Sequence, residues 1–195
     1  LKKEYNIKQE DAFLFENIVI FQVTPSSRLS ADIQESKGVP LMSEKAKSEY
    51  IIAPIIREIK RNNAHVTIFS GYSLNIETQK GLNGTPDFMI SASSNIVELQ
   101  RPIFCLFESK NKDPDEGFAQ CAAEMYAARL FNQEMDEPCE TIYGAVTNGY
   151  DWVFLKLEND TILIDKERYF LNDLPTILGI FQFIIDQYKN IKTNV

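Results

Sequence analysis

Residues 103–107, IFCLF, are apolar at every position and run directly into Glu108-Ser109-Lys110. In a strand, successive side chains alternate faces. One parity then carries Phe104, Leu106, Glu108 and Lys110, and the other carries Ile103, Cys105 and Phe107. Both faces are apolar until the last few residues, the pattern of a strand covered on both sides. The charged end is the sharper constraint. An uncompensated charge entering such a face is costly, so Glu108 and Lys110 need a partner or a metal. Asp87 opens a shorter apolar run, 88–90, and is placed to supply a second carboxylate.

The rest of the chain agrees with a packed α/β domain. Its 195 residues suit one domain, 1–195, with a full core. Apolar content of 44% and charged content of 25% are ordinary for a globular chain. A formal net charge of -8 argues against a broad basic groove for nucleic acid or an acidic membrane. It leaves room for a local site where divalent cations mediate phosphate contact. The longest apolar run, 177–185, contains Gln182 and is too short to span a bilayer. The opening LKKEYN has no apolar signal core. The three cysteines, Cys105, Cys121 and Cys139, are dispersed and lack any CxxC pair. They read as buried side chains in a reducing, cytoplasmic setting.

Along the chain, 12–23 holds FLF and IVIF and predicts one or two short strands, or a short helix and a strand. Residues 24–27, TPSS, read as a turn, and the polar stretch 28–40 as a linker or edge segment. Ser43 is a candidate N-cap for a helix to about 63, bent at Pro54, which has no N–H to give residue 50. Residues 66–70 predict a strand, and 71–84 a loop or hairpin arm. A polar loop, 111–116, with Asp113 or Asp115 as cap, leads into a helix ending near 132. Its expected core stripe is Ala119, Ala122, Ala123, Tyr126 and Leu130, with Gln120, Glu124, Ala127 and Phe131 beside it. Residues 141–147 and 152–157 form a hairpin about Asn148-Gly149. Residues 161–164 continue the meander, and a C-terminal helix covers 173–189 with Asp173 as cap. The sum is a central mixed β-sheet flanked by helices.

The chemistry that suits paired carboxylates beside an ammonium is metal-assisted phosphodiester hydrolysis. A hard cation such as magnesium takes oxygen ligands, and Asp87, Glu108 and the carbonyl of Ser109 can supply them. Lys110 would stabilise developing charge or position the nucleophile. No covalent nucleophile with a base beside it is evident. His65 is the only histidine, which disfavours a zinc site, and no GxSxG elbow is present. Plainer readings stand beside these. Glu108 and Lys110 also make a strand-end ion pair, and Asp87 a turn cap after Pro86. Glu49 is either a rim glutamate paired with Lys45 or an acid near the buried side of its helix. Gln120 is either a surface amide or a group facing the carboxylates.

Pro86-Asp87, then Glu108-Ser109-Lys110, then a helix carrying Gln120 resembles the PD-(D/E)XK nuclease superfamily, the restriction-endonuclease-like fold. The stretch AQCAAEMYAAR resembles the corresponding helix in members close to the N-terminal nuclease part of type I restriction subunits. The resemblance covers about residues 43–157. It implies an αβββαβ core that binds magnesium, with manganese as a substitute, and cuts DNA. It implies Asp87 and Glu108 as metal ligands, Glu49 as an auxiliary ligand, Lys110 as the catalytic lysine and Gln120 as a support to the site. The acidic balance departs from the family context. Residues 111–137 carry acids in excess of Lys112 and Arg129, so DNA binding is left to other surfaces, a partner subunit or a homodimer. A wide apolar arc on the C-terminal helix, with Phe181, Phe183, Ile184 and Ile185, is the expected dimer face. Two alternatives remain: a catalytically inactive binding or assembly module on the same fold, and a different α/β hydrolase or transferase using carboxylates.

Overall fold

A computed structural model describes residues 6–77, 82–93, 99, 101–133, 139 and 141–189. Its main sheet has eight strands, ordered β1-β9-β8-β7-β6-β5-β2, with β10 paired to β8. The central strands are β5 (Phe88–Ser91), β6 (Ile103–Ser109), β7 (Ile142–Thr147) and β8 (Asp151–Glu158). At one edge lies β2 (Thr67–Ser70); at the other, β9 (Thr161–Asp165) and β1 (Lys8–Ala12). Strand β10 is Tyr169–Phe170. Pairing is antiparallel except between β6 and β7 and between β1 and β9. The sheet is mixed and flanked by helices, as the sequence predicts.

Strand β6 is buried along its whole length, as two apolar parities require. The parity itself is broken once. A register shift between Ile90 and Ser91 sets Cys105 and Ile103 against them and leaves Phe104 unpaired, a bulge in β6. Phe104 therefore leaves the Leu106 side. It stacks on Tyr188 at 4.2 Å, while Phe107 packs on Phe181 at 5.0 Å.

That side of the sheet is covered by α5 (Leu174–Asp186), through Phe181 against Phe107, Trp152 and Phe154. The helix starts at Leu174 after a 3-10 turn, and Asp173 makes no side-chain capping bond. The expected dimer face is used up within the chain: Phe181, Ile184 and Ile185 are fully buried and Phe183 is packed against the core. Gly179 lies so close to the Phe21 carbonyl that a Cβ there would collide with it.

The opposite side holds α4 (Phe118–Asn132), packed on β6, β7 and β8. Gly144 leaves no room for a Cβ beneath Cys121 and Met125, which brings helix and sheet into close contact. A separate hairpin, β3 (Leu74–Glu77) with β4 (Leu82–Gly84), covers the outer side of the same helix. Helix α4 is therefore buried nearly all round. Its sheet-facing residues include Cys121, Met125 and Ala128, while Ala119, expected in the core stripe, is exposed.

The predicted helix from Ser43 runs as α2 (Glu44–Lys47), a π-helical turn (Ser48–Ile52) and α3 (Ala53–Asn62). The Ser43 side chain caps it by accepting from Ala46 N at 3.1 Å. The wide turn sits just before Pro54, where the Ala53 N–H reaches back to Ser48 O. The chain thus accommodates the proline's missing donor by widening the helix ahead of it.

The N-terminal region differs most from expectation. No strand lies in 13–23; the strand is β1, a polar segment held by its pairing to β9. The polar stretch expected as a linker is α1 (Ser27–Ser36), capped by Ser26. Glu58 on α3 anchors it, accepting from Ser26 N at 2.8 Å and Ser26 Oγ at 2.9 Å. The three cysteines are buried, as expected. Among the described residues, no helix is long and apolar enough to cross a membrane.

Candidate active site

Antiparallel pairing of β5 with β6 sets Phe88 opposite Phe107. Asp87, one residue earlier, thereby meets the far end of β6. Its Oδ2 accepts from Ser109 N at 2.7 Å and from Ser109 Oγ at 2.6 Å. Ser109 thus acts here as a double donor to Asp87. Among the described residues, both hydrogen bonds to the Asp87 carboxylate fall on Oδ2. Aspartate and serine line a cleft of about 410 Å³, with Glu44, Lys45, Ser48 and Glu49 on the helical wall.

Glu108 turns to the α4 side and is only 3% exposed. Its Oε1 accepts from Lys110 Nζ at 3.3 Å, and its Oε2 is buried without a partner. Burial, reinforced by the negative charge of Asp87, pushes its pKa up to about 7 against the pull of Lys110. Lys110 is fixed from both sides. Its backbone N–H donates to Thr147 O at 2.8 Å, and its Nζ also donates to Gln120 Oε1 at 3.1 Å. Gly117 is what lets that side chain pass: a Cβ there would come within 2.6 Å of Val146 Cγ1 and 3.0 Å of Lys110 Cε.

Gln120 then donates through Nε2 to Glu124 Oε1 at 3.3 Å. Gln120 is an exposed amide on the helix surface, as its plain reading has it, and it also bridges Lys110 and a second, buried acid. Glu124 is 3% exposed, and its Oε2 is also buried without a partner. Burial and the nearby Glu108 charge raise its pKa to about 8. Sequence reasoning placed Glu124 on the stripe beside Gln120 but gave it no role. The four-residue spacing from Gln120 was the available signal. What it lacked was the β3–β4 hairpin: a Cβ at Gly84 would come within 2.9 Å of Glu124 Cγ.

Glu49 sits in the π-helical turn with its side chain 58% exposed, 3.9 Å from Lys45 Nζ. It is therefore a rim glutamate, and it lines the same cleft as Asp87. Among the described residues, no three or more His, Cys, Asp and Glu side chains are grouped as a ready set of metal ligands. Asp87 and Ser109 are joined directly, as are Glu108 and Lys110. Glu49 shares the cleft with Asp87 and Ser109, whereas Glu108 and Lys110 lie toward Gln120 on α4.

The donor set nonetheless fits a hard cation in kind. It is all oxygen, it includes a buried carboxylate oxygen with no partner, and it is negative beyond what Lys110 offsets. Comparisons with protein-family models, with curated proteins and with solved structures give no match.

The two raised carboxyl pKa values set a pH dependence. An ordinary glutamate titrates near 4.3 when unfolded. Between there and about 7 to 8 the folded chain binds more protons than the unfolded one. Without divalent cation, stability therefore falls as pH rises through that window. Glu124→Gln is expected to raise the melting temperature at pH 8 and to leave it nearly unchanged at pH 5. Thermal unfolding in EDTA at the two pH values measures this, and an equal shift at both would contradict it.

Proposed function

We propose that this chain is a divalent-cation-dependent nuclease of restriction-endonuclease-like fold that hydrolyses phosphodiester bonds in DNA. One observation carries the reading. The β5/β6 register sets Asp87 against Ser109, beside a Glu108 whose second oxygen is buried and unpartnered and whose first is held by Lys110. The element order supports it. A helix (α3), three antiparallel strands of the main sheet (β2, β5, β6), a helix (α4) and a strand parallel to β6 (β7) follow the αβββαβ order that the sequence resemblance implies, with the separate hairpin β3–β4 inserted between β2 and β5.

Asp87 and Glu108 would hold the cation, with Glu49 contributing from across the cleft. Bound magnesium supplies Lewis acidity toward a phosphoryl oxygen and lowers the pKa of a water. The protein's own groups do the rest. The amide and hydroxyl of Ser109 hold the Asp87 carboxylate in one orientation. Gln120 holds the Lys110 ammonium near Glu108, where it meets negative charge that develops on the phosphate. The surrounding apolar strands keep water away from Glu108 on the sheet side.

Magnesium or manganese titration by calorimetry tests the site. The wild type is expected to bind, and the Asp87→Asn, Glu108→Gln double variant to lose that binding. Indistinguishable isotherms would support the second reading, a noncatalytic binding or assembly module on the same fold. The net charge of -8 favours that second reading.

A further inference from the structure

Where α3 crosses the edge strand β2, a second groove of about 450 Å³ opens. Half-buried Ile68 lies at its floor over the core residues Ile56 and Phe88, and Arg57, Lys60 and Arg61 supply its cations. It is continuous with the candidate active site, since Ala53, Ser70 and Phe88 line both. We infer that this groove is the track for a single nucleic-acid strand entering the cleft, with bases or sugars on the apolar surface and phosphates on the three cations. The inference rests on the nuclease reading and adds the form of the substrate and its direction of approach.

Charge is the first argument. In a chain of net charge -8, three cations converge on one groove. Two carboxylates answer them, and neither removes their capacity. Asp32 lies 3.6 Å from an Arg57 that stays 62% exposed, a surface pair of small worth. Glu58 is buried at the base of Arg61 and accepts from its Nε at 3.2 Å and Nη2 at 2.5 Å. That contact fixes the guanidinium and leaves further N–H donors for an anion. Lys60 uses one of its three donors on Ala64 O at 3.0 Å.

The apolar surface is the second argument, and it selects strandedness. A duplex presents phosphates outward and keeps its bases stacked inside, so it has no use for the apolar floor that half-buried Ile68 and the aliphatic stems of Arg57, Lys60 and Arg61 make above the core residues Ile56 and Phe88. A single strand presents base and sugar faces together with its backbone, and sites for it combine an apolar or aromatic platform with a cationic border. The groove has both.

The test is fluorescence anisotropy in EDTA, where no cleavage occurs, with a fluorescein-labelled oligothymidylate and a duplex of the same length. The wild type is expected to bind the single strand more tightly than the duplex. Arg57→Gln with Lys60→Gln is expected to weaken single-strand binding by about 10-fold or more. It is also expected to reduce the slope of log K against log salt by ~1.4, at about 0.7 per lost phosphate contact. Ile68→Thr, which keeps a β-branched residue in the strand, is expected to weaken binding several-fold with the slope unchanged. Melting temperatures equal to the wild type's confirm that the variants are folded. Unchanged affinity and slope in the double variant, or equal affinity for duplex, would overturn the inference. Should magnesium-dependent cleavage persist alongside either result, the nuclease reading survives and only the track is lost. Loss of cleavage in Lys110→Ala with single-strand binding intact is the expected complement.

Discussion

Lys110→Ala is expected to reduce magnesium-dependent DNA cleavage by at least ~10²-fold while the chain remains folded. The size follows from what one positioned cation or proton-transfer group contributes at a reacting phosphate. The fold should survive because Lys110 follows the end of β6, and removing its ammonium leaves a Glu108 that burial already drives toward its neutral form. Removing the ammonium also takes away the donor to Glu108 Oε1 and leaves Gln120 with its bond to Glu124 alone. Loss of that positive charge favours the protonated form of Glu108, whose pKa is already about 7. Supercoiled plasmid incubated with each protein and magnesium reads the effect directly. Equal nicking by wild type and variant, at matched melting temperatures, would remove the nuclease assignment. Gly117→Ala approaches the same group from behind. The new methyl would collide with buried Val146 and press on the lysine stem, so a fall in cleavage is expected together with a loss of stability of about 1–3 kcal/mol.

Phe181→Ala is expected to cost ~3–5 kcal/mol, the range for removing a fully buried phenylalanine. Phe181 is 0% exposed and touches Phe107, Trp152 and Phe154, which come from β6 and β8. In a chain of this length the loss corresponds to a fall in melting temperature of roughly 10 °C. Circular dichroism during heating measures it, and a shift below about 2 °C would mean that α5 is not the main cover of that face. Phe107 lies next to Glu108, so the same variant is expected to loosen the candidate active site as well.

The parts of this fold that were legible are those where sequence period and burial agree. Residues 103–107 are apolar on both parities, and β6 is buried on both sides. Asn148-Gly149 marks its hairpin because Asn148 Oδ1 accepts from the N–H groups of Tyr150 and Asp151 while Gly149 takes φ 90. Ser43 caps the helix it precedes. The illegible parts depend on partners distant in the chain. Helix α1 has a single buried apolar residue, Leu29, and is anchored by Glu58 instead of by its own pattern. Strand β1 is held by backbone pairing, which leaves no mark on side-chain type. The bulge that moves Phe104 is a property of the pairing with β5. Glu124 belongs to the candidate site only because a hairpin closes over α4.

The π-helical turn ahead of α3 holds a consequence for how the cleft is built. Relative to an ordinary helix it contains one residue too many. The wide turn spends five residues on about the angle that four span in an α-helix, so the extra residue is absorbed locally and the residues before it keep their faces relative to α3. Deleting a single position from 48–52 would return the segment to α geometry with Glu44 and Lys45 still on the cleft wall and Ile55, Ile56 and Ile59 still in the core. Glu49, which sits inside the wide turn, is the wall residue that such a change would move, so the turn sets the place of this acid without setting the seat of the helix.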